Sequence, residues 1–168
     1  MSDSSTQARA QVDSIVEMMA AVECDYDLLR DLRDERDAWQ ADEDTAGKAW
    51  GDEYPSAAEE LSELSAAAGD CEDRDDAEQR VHEDPLSVET RSGWHAPGSA
   101  QDGEGDEEFR ILLCTGGPHV ELRGDLDQYG SPSRVYVVHK NWGTNGEMSL
   151  HGGEQTTVLA YCALVLGA

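Results

Sequence analysis

The stretch Ala8–Trp39, ARAQVDSIVEMMAAVECDYDLLRDLRDERDAW, decides how the rest of the chain is read. Ala8, Val12, Ile15, Met19, Val22, Tyr26 and Leu29 recur at spacings of 4 and 3. That rhythm puts them on one stripe of a helix with 3.6 residues per turn. So narrow a seam suits a coiled coil or a helical hairpin better than a helix buried on every side. Arg33 and Arg36 hold the next two seam positions. Packing is therefore expected to end near Leu32, with the helix running on in water towards Trp39. The other faces carry Asp13, Glu17, Glu23, Asp25, Asp27, Asp31, Asp34, Glu35 and Asp37. Arg30, Arg33 and Arg36 neutralise some of them locally. Such exposed pairs contribute only about 0.3–0.5 kcal/mol each, and they do not account for the excess of acids.

Beyond Trp39, residues 40–53 read as a loop or a frayed continuation of the first helix, and Trp39 and Trp50, which flank most of it, are expected to pack over the end of a hairpin. A second helix is predicted from about Ser56 to Ala68. Ser56 and Glu59 fit a capping box, and Gly69 stands at the C-terminal stop. Ala57, Leu61, Leu64 and Ala68 form a matching seam. Two seams joined by a loop predict an antiparallel helical hairpin. A homodimer through these N-terminal helices is the alternative use of the same seams. A third helix is predicted over Cys71–Glu83, capped by Asp70 and ended by Pro85. The acids Asp70, Glu72, Asp73, Asp75 and Asp76 surround its first turns. The helix dipole explains two or three of these and leaves the others without a structural reason.

After Pro85 the pattern turns to strands. Leu86–Arg91, Phe109–Cys114, His119–Arg123 and Arg134–His139 read as strands. Thr115–Pro118 reads as a turn, and Asp125–Ser133 as a polar loop. Residues 96–107 and 141–153 have loop composition, with Trp142 a candidate anchor. Thr156–Leu166 reads as a buried terminal helix, with a strand as the alternative for so short a run. Symmetric hairpins would set Leu113 opposite Val120 and Ile111 opposite Leu122. They would also set Leu122 opposite Tyr136 and Val120 opposite Val138. Phe109, Ile111, Leu113, Val120, Leu122, Tyr136 and Val138 would then share a face. Val158, Leu159, Tyr161, Leu164 and Leu166 would cover it, at ~1.5–3 kcal/mol per large side chain. The expected fold class is α+β: an N-terminal coiled-coil-like helical hairpin, then a small antiparallel β-meander with a C-terminal helix. The expected division is residues 1–84 as an acidic helical arm and residues 85–168 as the sheet domain.

The 168 residues carry a formal net charge of -25. The first 84 hold 26 acids and 7 bases, and the last 84 hold 11 acids and 5 bases. A chain so acidic repels nucleic acid and anionic membranes and is drawn to basic surfaces, including grooves that normally hold nucleic acid. General salt adaptation would spread the acids evenly, and the asymmetry argues against it. Ser2–Gln11 lack a basic start and an apolar run, and Val158–Leu166 is too short to span a bilayer. The chain is expected to be soluble and cytoplasmic, without membrane association. Cys24, Cys71, Cys114 and Cys162 form no C-x-x-C and are expected to be reduced thiols there.

The same register puts Cys114, His119 and His139 side by side on the sheet's outer face. A thiol with two imidazoles could bind zinc or form a nucleophile pair. An ordinary solvent-facing sheet is the simpler account, and a structural zinc would need a fourth ligand from His95, His151 or Cys162. The Gly116–Gly117 pair lies in TGGPHV, a hairpin turn and not a phosphate loop. The run DGEGDEE lacks the alternation of a calcium loop. No G-x-S-x-G or H-E-x-x-H occurs, so the expectation is no enzyme and no cofactor, with a metal or thiol site at Cys114, His119 and His139 as a minor alternative.

The block EFRILLCTGGPHVELRGDLDQYG, followed by WGT, and the opening ARAQVDSIVEMMAAVECDYDLLRDLRDE together resemble small acidic proteins of temperate tailed phages and prophages of Gammaproteobacteria. The resemblance covers both ends of the chain, whereas residues 40–65 are shorter than the helical segment typical of such proteins. It carries no catalytic residues over. It implies a phage accessory protein made in the cytoplasm of a bacterial host cell. With the charge, it points to an anti-defence inhibitor of the anti-CRISPR kind that mimics DNA. Such a protein would occupy the basic surface of a host nucleic-acid-binding defence protein and bind no nucleic acid itself. The residues expected to meet that partner are Asp27, Asp31, Asp34, Asp37, Glu72, Asp73, Asp75 and Asp76. The competing expectation is a coiled-coil adaptor that binds another protein through its seam, with Met19 and Leu29 as determinants.

Overall fold

A computed structural model describes residues 3–92, 106–141 and 144–168 of the chain. Helices come first: α1 (Asp3–Glu23), α2 (Tyr26–Ala41), α3 (Trp50–Glu53), α4 (Pro55–Ala68) and α5 (Arg74–Glu83). Strands follow: β1 (Ser87–Arg91), β2 (Glu108–Cys114), β3 (His119–Leu126), β4 (Pro132–Asn141) and β5 (Thr144–Ser149), and then α6 (Gly152–Leu166). The fold is α+β, with one antiparallel sheet whose strands lie in sequence order. Trp142, His95 and residues 96–105 of the expected loop lie outside the described residues. The strand β5 corrects the expectation of a loop over 141–153. Its pairing with β4, from Tyr136↔Ser149 to Asn141↔Thr144, supplies backbone hydrogen bonds to a stretch whose composition resembles a loop.

The chain forms two compact units, one of Met1–Met19 with Gln79–Ala168 and one of Ala20–Glu78. This differs from a division at residue 84, since the boundaries fall inside α1 and inside α5. The N-terminal helix is also not continuous. It breaks at Cys24–Asp25, where the Asp25 carboxylate accepts the Leu28 N–H at 3.0 Å and caps α2. A short carboxylate beside free backbone donors favours a new helix start over continuation. The seam is therefore shared. Ala8, Val12, Ile15 and Met19 are buried members of the sheet unit, while Leu29 and Leu32 enter the core of the helical unit.

In the helical unit α2 packs on α4 and α3. Leu29, Leu32, Trp50, Leu61 and Ala68 form the core, with Tyr26, Trp39, Ala57 and Leu64 packed around it. The two tryptophans thus meet one cluster, and Trp50 lies 6.0 Å from the Tyr54 ring. Helix α4 opens on Pro55 with Tyr54 before it and no side-chain cap, so the Ser56–Glu59 box does not form. Gly69 ends it at φ 57, as its place in the sequence predicted. Helix α5 starts at Arg74, not Cys71. Asp73, and not Asp70, takes the Asp76 N–H at 2.9 Å, and the Asp76 carboxylate takes the Glu72 N–H at 3.2 Å.

In the sheet unit the body of the β2–β3 ladder has the expected register, with Ile111 opposite Leu122. Towards the turn it shifts, so Cys114 and not Leu113 lies opposite Val120. The β3–β4 ladder begins symmetrically at Leu126↔Pro132, but the next pair is Asp125↔Arg134. Ser133 is the extra residue of a bulge. Every later pair is offset by one, with Leu122 opposite Val137 and Val120 opposite His139. A slip of one residue turns a strand over. Val135 and Val137 therefore join Phe109, Ile111, Val120 and Leu122 on the core side, and Tyr136 and Val138 turn to the other. On α6, Val158, Tyr161 and Cys162 are buried while Leu159, Leu164 and Leu166 are half-buried. The Tyr161 hydroxyl donates to Asp84 at 2.6 Å. Burial first, and that hydrogen bond second, hold its proton far more tightly than an ordinary phenol's.

Candidate functional site: the acidic helical unit and the polar sheet face

The helical unit carries 21 acids and 5 bases, a balance of -16, against 16 acids and 7 bases, a balance of -9, in the sheet unit. Of those 21 carboxylates, all but Glu78 are exposed. The eight singled out from sequence all lie in this unit. Asp27, Asp31 and Asp34 recur along α2 away from Leu29 and Leu32, so core packing itself turns them outward. Their surroundings differ. Asp27 pairs with Arg30 at 2.5 Å and Asp37 with Arg36 at 2.7 Å. Asp73 and Asp76 hold backbone N–H groups at the start of α5. The side chains of Asp31, Asp34, Glu72 and Asp75 make no ion pair among the described residues. Sequence spacing thus found the exposed set but not the two acids that serve the fold.

The polar face of the sheet is built differently. The register places Arg110 opposite Arg123 and, two residues along, Glu108 opposite Asp125. Each of these charges is engaged from the side. Arg110 pairs with Glu89, and Arg91 with Glu108. Arg123 pairs with Glu121 at 2.5 Å, and Arg134 lies 3.8 Å from Asp125. The Arg134 guanidinium also sits 5.7 Å from the Tyr136 ring centroid. All of these side chains except Glu121 and Arg134 line a concave pocket of about 470 Å³.

Beside the pocket Glu121 is only 1% exposed, between Leu112 of β2 and Val138 of β4 in register. Arg123, His119 Nε2 at 3.3 Å and Lys140 Nζ at 3.5 Å surround its carboxylate. Burial would raise its pKa, but hydrogen bonding from His119 and the charges of Arg123 and Lys140 outweigh burial and leave it below the ordinary glutamate value. Sequence reasoning missed this network. Its signal was Glu121, Arg123 and Asp125 at a spacing of two, readable only once the partner strands are in register.

The expected cluster of Cys114, His119 and His139 does not form. His119 lies opposite Lys140 and His139 opposite Val120, so the imidazoles point to opposite faces. His139 Nδ1 is 3.1 Å from Ser4 Oγ, and its ring covers Gly146, where a Cβ would lie 2.5 Å from the ring. The Cys114 thiol donates to the Pro118 carbonyl at 3.6 Å, and burial raises its pKa, which disfavours the nucleophilic thiolate. Among the described residues no three His, Cys, Asp or Glu side chains are placed to hold a metal ion. Nor, among them, is any helix long and apolar enough to cross a membrane. No protein-family model, curated protein or solved structure matches the chain.

Proposed function

We propose that this protein is a phage-encoded anti-defence inhibitor whose helical unit occupies the basic nucleic-acid-binding surface of a host protein by mimicking DNA. The observation that carries this reading is the charge of that unit. Residues 20–78 hold 21 acids against 5 bases, and 20 of those acids are exposed. Folding does not require this surface, because like charges at such density repel one another. Carboxylates one helical turn apart lie about 5–6 Å from each other, comparable to phosphates along a strand. A channel lined with Lys and Arg would gain by exchanging its counterions for such a helix. The bacteriophage origin rests on the sequence resemblance of the two ends of the chain.

The binding determinants on this reading are Asp31, Asp34, Glu72 and Asp75, the four without an internal task. Asp27 and Asp37 contribute behind them, and Asp73 and Asp76 hold α5 in place. A coiled-coil adaptor gains no support, since Met19 is 4% and Leu29 1% exposed. A homodimer would have to use other faces of these helices.

The test is capture from host lysate with the tagged protein, washed at low and high salt and with added DNA. A variant carrying Asp31→Lys, Asp34→Lys, Glu72→Lys and Asp75→Lys runs beside it. The expected result is a nucleic-acid-binding defence complex that DNA or salt releases and that the variant fails to recover. If the variant recovers the same partner as well as the parent does, these carboxylates do not form the interface.

A further inference from the structure

We infer that the concave face of the sheet binds a small dipolar ligand, one carrying an anionic and a cationic group on the same short body. The first observation is the pair of like-charged rungs. Arg110 stands directly opposite Arg123, and Glu108 directly opposite Asp125. Like charges across an antiparallel rung oppose pairing. Nothing in the β2–β3 ladder requires either arrangement, since exchanging Arg123 with Asp125 would make both rungs attractive. The second observation is that all four side chains line one pocket of about 470 Å³, with Tyr136 on its wall. That volume suits a small ligand. The third is the spacing, because rungs two residues apart are about 6.8 Å apart along the strand.

The donors for an anion are already in place. Arg110 and Arg123 each meet their internal carboxylate through one terminal nitrogen, Nη2. A guanidinium has five N–H donors in a fixed fork. The Arg123 Nε is buried with no hydrogen-bond partner among the described residues. Glu121 fixes this arginine from below, and it is itself held by Lys140 and His119. At the other rung, Glu108 is taken by Arg91, but among the described residues Asp125 is held only by Arg134 at 3.8 Å. Asp125 is therefore the carboxylate that receives the cationic end. The carboxylate or phosphate of a ligand relieves the repulsion between Arg110 and Arg123, and its ammonium does the same for Glu108 and Asp125. The body between lies along Tyr136.

The test uses the whole protein and three probes of similar length: 6-aminohexanoate, hexanoate and hexylamine. Binding is followed by amide chemical shifts at fixed ionic strength. The expected result is saturable binding of 6-aminohexanoate, with shifts confined to β2, β3 and β4. Hexanoate and hexylamine should each bind at least about tenfold more weakly. Arg110→Gln and Asp125→Asn should each reduce 6-aminohexanoate binding by at least about tenfold. Arg30→Gln, in the helical unit, should leave it unchanged. The backbone spectrum of each variant verifies folding, and Arg110→Lys offers a second variant that keeps the charge and loses the fork. No saturable binding, shifts elsewhere, or hexanoate binding as well as 6-aminohexanoate would overturn the inference. So would binding that survives both single-charge variants.

Discussion

The helical unit and the sheet unit treat charge in opposite ways. In the sheet unit, Arg91, Arg110, Arg123, Arg134 and Lys140 each meet a carboxylate on a neighbouring or adjacent strand position. Glu121 is buried between Arg123 and Lys140, with His119 beside it. In the helical unit the acids outnumber the bases fourfold, and most face water without a partner. The sheet's cations go into internal pairs, whereas most of the helical anions lie at the surface. Charge that is compensated in place reports on folding, whereas exposed charge at this density sets up a field that favours basic surfaces.

The largest expected effect concerns whether the two regions fold independently. Trp50 is 5% exposed in a core of few large side chains. Trp50→Ala is expected to cost about 3–5 kcal/mol, and so to unfold the helical unit. Hydrogen exchange should then show lost protection in α2 and α4 and retained protection in β2–β4. Equal loss in both would make them one cooperative body and break the comparison.

A smaller effect is expected at Glu121. Glu121→Gln leaves Arg123 and Lys140 without their buried anion, at a cost of about 1–3 kcal/mol, read from urea unfolding. The same residue gives the pH dependence its sign. Its folded pKa lies below the unfolded value of about 4.3. Its stabilisation is therefore complete above that value and is lost as pH falls through the folded pKa. Acidification below about pH 4 should destabilise the sheet unit, and Glu121→Gln should flatten that slope. An unchanged slope would mean that other carboxylates govern acid unfolding.

The smallest expected change in stability belongs to the helical surface. Asp31→Lys, Asp34→Lys, Glu72→Lys and Asp75→Lys should each shift stability by no more than about 0.5 kcal/mol, measured by thermal unfolding. A much larger loss would show that these acids serve the fold after all, and would blur the contrast with the sheet.

Much of the architecture was legible beforehand. The helical period of Ala8–Leu29, the stop at Gly69, the strand at Phe109–Cys114 and the burial of Ile111 and Leu122 all follow from spacing and turn chemistry. Where reading failed, a local feature overrode the pattern. Asp25 split a seam that periodicity makes continuous, because capping depends on one side chain and not on the period. Ser133 turned β4 over, because a bulge adds one residue without changing the alternation of apolar side chains. The exposed acids were readable as a group. The capping duties of Asp73 and Asp76 were not, since an acid near a helix start reads alike with or without that bond.

By itself the sequence determined the class of fold, the positions of most helices and strands, and the concentration of negative charge in the first half of the chain. Composition and period are sums over many residues and survive errors at a few. Only the tertiary structure decided which residues meet. It assigned the first half of the seam to the sheet unit, separated His119 from His139, buried Glu121 among Arg123, Lys140 and His119 and set Arg110 beside Arg123. Each of these outcomes depends on register, and register is fixed by single residues at turns and bulges, where a shift of one position changes every partner that follows.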